Sequence, residues 1–310
     1  MFSRARKLLQ SYNTPKILYK RIDEVPTHKK PGKLDCYVAG FPCQSFSTMG
    51  NKEGPDDPSG RGKLIWDIVE YLNKKCPNMF ILENVSGLLT FREFFADVIE
   101  SLRSANDGGY EVHWHMMNTS NYTNLPHNRS RVFIIGLLKK EMHSEFAFPA
   151  PVADSKKRSL GDILKMGKMG KPANRKVVMP KLHKTAQANI LAAIKAKGTL
   201  QALSGKTSDV IVDTGSSVPK WRVDCAPCLT ATRAGARAFF SLRHLRHLDC
   251  DDMMRLQGVS PKQHFPKWQS VLSDHQMGKI IGNSITLPLL QALMHAGFKS
   301  MGFKLLKDKS

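Results

Sequence analysis

Four side chains in the first half of this sequence are of types that do covalent chemistry together: a thiol, a carboxyl and two guanidiniums. Cys43 stands directly behind Gly40-Phe41-Pro42, at the end of the apolar run Leu34–Ala39. Such a run reads as a short buried strand. Proline fixes its own φ and lacks an N–H donor, so the chain leaves the sheet there. The thiol is therefore expected at the carboxyl end of a strand, where open α/β sheets hold their ligands. Taken alone, a cysteine reads as a small buried hydrophobe; its company changes that reading. Glu83 follows the continuous apolar run Met79-Phe-Ile-Leu82, also at a strand end. Alone it would read as a capping or ion-pair group. Burial disfavours a bare carboxylate, which suits a proton donor working near neutral pH. Arg129 and Arg131 flank Ser130 just before the run Val132–Leu138. Strand alternation points both to one face, where they could bind an oxygen of a planar substrate and hold Glu83 in place. A thiolate nucleophile beside an acid and an anion holder is the equipment of covalent catalysis.

The elements that must position these groups alternate along the chain. After the strand Leu34–Ala39, apolar residues recur at helical spacing over Leu64–Lys75. Met79–Leu82 reads as a strand buried on both faces, Phe94–Ala105 as a helix, and Tyr110–Met117 and Val132–Leu138 as strands. This order predicts an α/β sheet with helical layers on both sides. The first 22 residues hold no acid and several bases; they read as a helix, Ser3–Tyr12, followed by a strand near Pro15–Tyr19. Gly50–Gly62 is long and polar, as active-site lids are. Toward the end, Leu248–Leu256 carries acids in what would be a first helical turn. Ser284–Phe298 reads as an apolar helix whose Pro288 sits in the first turn, where proline is tolerated.

Composition narrows the partner. The 310 residues hold 47 basic and 26 acidic side chains, a formal charge of +21. Lys139–Lys220 alone has 16 bases against 6 acids, a net of +10 in about a quarter of the chain. That asymmetry predicts a polyanionic partner, most simply nucleic acid. No apolar run approaches the ~20 residues of a membrane span, and no secretory signal is present, so an intracellular protein is expected. Six scattered cysteines make no disulfide scaffold and suit a reducing compartment. Cys225-Ala-Pro-Cys228 has zinc-knuckle spacing but no second Cys/His pair, so no metal is expected. Asp213-Thr-Gly215 matches the aspartic-protease triplet without the second carboxylate that chemistry needs. Neither Gly-x-Gly-x-x-Gly nor a phosphate-binding P-loop occurs.

Taken in order, Gly40-Phe-Pro-Cys-Gln-Ser-Phe-Ser47, Glu83-Asn-Val85 and Pro126-His-Asn-Arg-Ser-Arg-Val-Phe133 resemble the signature blocks of the DNA cytosine-5 methyltransferase family. Arg61-Gly-Lys-Leu64, Pro227-Cys-Leu-Thr-Ala-Thr-Arg233, Arg255-Leu-Gln-Gly258 and Gly282-Asn-Ser-Ile285 continue the series. Cys228 then belongs to a block rather than to a metal site. The resemblance implies a Rossmann-like, S-adenosylmethionine-dependent methyltransferase sheet with a smaller basic target-recognition domain. It implies Cys43 as the nucleophile toward cytosine C6 and Glu83 at ring N3, with Arg131 on the O2 oxygen and Arg129 orienting Glu83. The base must leave the duplex for any of this, so base flipping is implied. Cofactor contacts fall on Ile22, Pro42, Leu64 and Asn283. Contacts to double-stranded DNA fall on Gln44, Ser47, Arg233 and Arg237.

Three departures qualify the match. The family's opening strand and glycine-rich turn, with the acid for the ribose, have no counterpart, so the sheet is expected to be N-terminally truncated. Lys20-Arg-Ile22 stands where Gly-Asp-Ile would be typical, and His127 replaces the usual Gln. The expected organisation is an incomplete catalytic domain, 1–138, and a target-recognition domain, 139–235. A C-terminal segment, 236–310, follows, with its Ser284–Phe298 helix returning to the catalytic domain. The expected function is methylation of cytosine C5 in DNA by a monomer, with a missing N-terminal segment or subunit as a further partner. The alternatives are a catalytically impaired DNA-binding remnant, half of a split enzyme, or an RNA (tRNA) cytosine-5 methyltransferase.

Overall fold

The computed structural model describes residues 34–42, 46, 54, 61–164, 182–204 and 208–303. The expected N-terminal helix and strand, and most of the Gly50–Gly62 loop, lie outside these. The described residues fall into two compact units: 34–118 with 130–150 and 290–303, and 119–129 with 151–164, 182–204 and 208–289.

The first unit is built on a four-stranded sheet of β1 (Cys36–Gly40), β2 (Met79–Val85), β3 (Tyr110–Asn118) and β4 (Ser130–Leu138), in the order β1-β2-β4-β3. β1 and β2 run parallel, while β4 is antiparallel to both β2 and β3. A parallel pair needs a crossover, and α1 (Leu64–Lys75) provides it over the range its periodicity predicts. α1 buries Ile65, Ile68 and Leu72 and stops at Cys76, whose left-handed φ of 44° lets its N–H reach the Leu72 carbonyl. Pro77 then prevents continuation. β1 begins two residues later than its apolar run, because Leu34 and Asp35 lend only their carbonyls, to the N–H groups of Asn78 and Met79.

β2 and β4 are almost wholly buried, as continuous apolar runs between helical layers should be. They approach so closely that a Cβ on Gly136 would lie 2.0 Å from the Phe80 ring. α2 (Arg92–Gly108) buries Phe95, Val98, Ile99 and Leu102, and its helical dihedrals end at Ala105, as the sequence predicts. The final helix, α7 (Leu287–Ser300), starts three residues later than expected, and from Leu290 on it belongs to this unit. There it packs Gly297 against Met79 and donates from Ser300 Oγ to the Glu145 carbonyl.

The second unit carries a small antiparallel sheet of β5 (Val210–Asp213), β6 (Trp221–Val223), β7 (Phe239–Ser241) and β8 (Arg246–His247), ordered β6-β5-β7-β8. α3 (Lys184–Lys195) lays Ile190 and Ala193 on Val210, Val212 and Phe240. A second core joins α4 (Ala231–Gly235), α5 (Cys250–Leu256) and α6 (Asp274–Asn283) through Leu229, Met253 and Ile281. This unit takes in 236–289 as well as the described residues of the basic segment from 151 on.

Asp209, 1 % exposed, ties this sheet's corner together. Its carboxyl accepts from the N–H groups of Val210 and Arg243 and from Ser241 Oγ. Burial nevertheless pushes its pKa up, with the Ser241, Arg243 and Val210 bonds opposing. The folded chain then holds this proton more tightly than the unfolded chain, so Asp209's contribution is favourable below about pH 4, the unfolded range. It is lost as pH rises through the folded pKa. Asp209→Asn keeps an acceptor for the two N–H groups and carries no charge. Urea denaturation is expected to show the variant more stable than wild type at pH 7 and equal to it near pH 3.

Candidate active site

Glu83 lies in β2 with 7 % of its surface exposed. In the sheet register it sits beside Gly40 of β1 and opposite Phe133 of β4. Arg131 is two residues along β4 from Phe133, on the same face, a diagonal that long side chains span. Its Nε stands 2.9 Å from Glu83 Oε1, and its Nη1 donates to the Ser130 carbonyl at 2.7 Å. Acid and guanidinium are thus fixed together at the edge where β1 and β2 end. On the other side of Glu83, a Cβ at Gly40 would stand 3.4 Å from Oε2, so glycine keeps the approach to the acid open.

Cys43, Gln44, Ser47 and Ile22 lie outside the described residues. The residues flanking Cys43 in sequence are firmly held. Phe41 is 5 % exposed, and its carbonyl accepts from Asn84 Nδ2 at 3.4 Å. Phe46 is 1 % exposed and packs on Phe91 and Phe94. Its carbonyl passes so close to Gly87 that a Cβ there would lie 2.0 Å away. In the sequence Asn84 reads only as part of the Glu83-Asn-Val85 block, and Gly87, four residues past the acid, is not singled out.

Arg129 precedes β4, and its described side-chain hydrogen bonds run within the second unit. Nη1 donates to the carbonyls of Leu229 at 2.7 Å and Gly282 at 3.2 Å, and Nη2 to that of Ser284 at 2.8 Å. Gln257 joins the same grip, donating from Nε2 to the carbonyls of Ile281 and Ser284 and accepting from Thr286 Oγ1. Gly282 is required at this point, since a Cβ would lie 2.4 Å from the Thr230–Ala231 backbone. Arg131 therefore meets Glu83, a contact the resemblance gives to Arg129, while Arg129 is bonded to the backbone around Leu229 and Ser284.

The two arginines expected to meet DNA are ion-paired inside the second unit. Arg233 Nε is 3.4 Å from Asp213 Oδ2, and Arg237 Nη1 is 3.0 Å from Asp274 Oδ2. Asp213 also receives the Gly215 N–H, which accounts for the Asp-Thr-Gly triplet as a turn. Burial raises the Asp213 pKa, with Arg233 pulling the other way. Burial also raises the Cys225 thiol. No group of three metal-ligating side chains occurs among the described residues, and no described helix is long and apolar enough to cross a membrane.

The parallel β-α-β crossover that carries the Glu83–Arg131 pair is extended by antiparallel strands, and the result is a mixed α/β fold. Solved structures share it. The Entamoeba histolytica methyltransferase EhMeth superposes with a TM-score of 0.59 at 14 % identity, covering 96 % of this chain and 87 % of that one. The S. pombe Dnmt2 methyltransferase gives 0.56 at 15 %, covering 97 % and 90 %. Among curated relatives, the type II methyltransferase M.NgoBI of Neisseria gonorrhoeae is 29 % identical over 272 residues, 87 % of this chain and 74 % of that protein. M.BsuFI of Bacillus subtilis is 28 % identical over 264 residues, 84 % of this chain and 57 % of that protein. The family model for C-5 cytosine-specific DNA methylases matches residues 4–299, and the chain belongs to that family.

S-adenosylmethionine is the methyl donor of this family. Pro42 lies just past β1 and Leu64 at the first position of α1, both half-buried. The crossover brings the start of α1 to the carboxyl ends of β1 and β2, the edge where open α/β sheets bind ligands. Two half-buried apolar side chains at that edge suit contact with the apolar parts of the cofactor. Asn283 is exposed at the end of α6, in the second unit.

Proposed function

We propose that this chain methylates C5 of cytosine in double-stranded DNA, acting as a monomer on a base flipped out of the helix. The observation that carries the proposal is the Glu83–Arg131 pair, in register with Gly40 three residues before Cys43. The Cys43 thiolate adds to cytosine C6, and the Glu83 carboxyl gives a proton to N3, so the ring's electron pair collects at C5 without net negative charge. Arg131 holds Glu83 and reaches the ring's O2 oxygen, where charge also develops. S-adenosylmethionine, held in part by Pro42 and Leu64, supplies an electrophilic methyl group when bound. Loss of the C5 proton to a base, with the N3 proton returning to the Glu83 carboxylate, then re-forms the C5–C6 double bond and expels the Cys43 thiolate.

The basic segment Lys139–Lys220 supports duplex nucleic acid as substrate, because its net of +10 suits a continuous phosphate backbone. Arg233 and Arg237 join it by exchanging Asp213 and Asp274 for phosphates.

The test is trapping on 5-fluorocytosine DNA with methyl-labelled cofactor, where fluorine at C5 blocks the final elimination. Wild type is expected to give a labelled covalent adduct that survives denaturing electrophoresis, and Cys43→Ala none. An adduct with tRNA and none with DNA would transfer the activity to RNA. No adduct with either would overturn the proposal.

A further inference from the structure

His127 is fully buried, at the position where the family resemblance leads one to expect glutamine. It lies on a short loop that runs alongside the 225–230 strap. Ala226 donates to the Pro126 carbonyl at 2.7 Å, Asn128 donates to the Ala226 carbonyl at 2.9 Å, and His127 forms a parallel bridge with Ala226. At the end of this ladder His127 Nε2 accepts the Leu229 N–H at 3.3 Å. An accepting Nε2 carries no proton, so the proton of the neutral ring is on Nδ1. Leu229's carbonyl, on the other side of the same residue, receives Arg129 Nη1. Leu229 is thus gripped at both its backbone groups by side chains two positions apart. Arg129 carries the grip on to Gly282 and Ser284.

We propose that His127 is a positioning residue of the methyl-transfer reaction, acting as the acceptor that sets Leu229 in register for Arg129. Its effect reaches the chemistry along the backbone. The Arg129 N–H donates to the His127 carbonyl, and the Arg129 carbonyl accepts from Thr119. Two residues further, Arg131 holds Glu83. If Leu229 is released, Arg129 loses one of its carbonyl anchors, the shortest of the three, and Arg131 inherits the slack. Glutamine can do the same work, because its Oε1 stands as many bonds from Cα as Nε2 does and also accepts. Leucine fills similar space and accepts nothing.

The kinetic part of this proposal rests on the function proposed above; the structural part does not. With histidine-15N-labelled full-length protein, a long-range 1H–15N correlation is expected to show His127 protonated at Nδ1 and bare at Nε2. Amide exchange is expected to show Leu229 protected in wild type and in His127→Gln, and released in His127→Leu. In steady-state methyl transfer, His127→Leu is expected to lower kcat by about 10²-fold and leave KM for DNA within about threefold, the pattern of a displaced catalytic group; His127→Gln restores kcat to within about threefold. A proton on Nε2, a Leu229 amide that exchanges freely in wild type, or a folded His127→Gln as slow as His127→Leu would each overturn the proposal. If His127→Leu does not fold, the tautomer, the wild-type exchange and the His127→Gln kinetics still decide it. If wild type transfers no methyl group, the proposed function falls by itself, and the tautomer and exchange decide whether the clamp exists.

Discussion

Glu83→Gln is expected to slow methyl transfer by about 10²–10⁴-fold, the usual worth of a positioned proton donor. DNA affinity, which phosphate contacts dominate, should scarcely change. Glutamine has the shape of the residue it replaces and leaves an amide oxygen 2.9 Å from Arg131 Nε, where Glu83 Oε1 stands. It has no acidic proton for N3, so charge would accumulate on the ring as Cys43 adds. The loss therefore belongs to kcat, read in single-turnover transfer from labelled cofactor. Arg131→Leu makes the opposite cut. It leaves a carboxylate, whose side chain is 10 % exposed, buried beside apolar β2 and β4. Stripping the partner from a buried pair destabilises by about 3–5 kcal/mol, with the low end expected where some solvent reaches the site. Urea denaturation should separate the two variants, with Glu83→Gln melting near wild type and Arg131→Leu well below it. A Glu83→Gln enzyme within tenfold of wild type would remove Glu83 from the chemistry.

Much of the first unit could be read from the chain because its elements are long and their periods unmixed. α1 has one apolar stripe, and β2 and β4 are unbroken runs with Glu83 or Arg131 at their ends. The second unit's strands could not be read. β6, β7 and β8 are two or three residues each, too short for any period to register, and only pairing, of β6 and β7 with β5 and of β8 with β7, makes them strands. α6 was missed as well. It opens with a capping box in which Ser273 and Gln276 exchange bonds, but its buried face carries Gly278 and Gly282 beside Met277 and Ile281. Close backbone approach to α4 and the Thr230–Ala231 turn, rather than bulk, defines that face. Arg129 shows the limit of local pattern. Alternation put it on the face of Arg131, but β4 begins at Ser130, and its guanidinium goes to carbonyls 100 to 155 residues away. Motif order identified the blocks, and only the fold reveals that Arg129, Gln257 and Gly282-Asn-Ser284, drawn from three of them, form one network.

Asp252→Ala is expected to cost the second unit about 3–5 kcal/mol, because Asp252 is the buried centre of a charge network whose partners would be left behind. The side chain is 0 % exposed. One oxygen accepts from Arg246 Nη1 at 2.7 Å and from the Asp249 N–H at 3.2 Å, and the other accepts from Arg255 Nη2. The Asp249 side chain in turn accepts the Asp252 N–H at 2.8 Å, closing a reciprocal cap on α5. Removing the carboxylate therefore opens half of a helix cap and strands two guanidiniums. Arg246 is 38 % exposed and can rehydrate. Arg255 is 20 % exposed, its Nε is buried, and its remaining described bond is to the Leu164 carbonyl. Most of the loss is expected through Arg255, and Asp252→Ala with Arg255→Met should recover part of it, since a buried pair replaced by apolar bulk is often neutral. Asp252→Asn should fall between, keeping an acceptor for the Asp249 N–H without the charge. Because Asp252 is buried, the Asp252→Ala deficit in urea should persist at 1 M salt, where the Debye length is about 3 Å and surface pairs are screened. A deficit that vanished in salt would place the network at the surface.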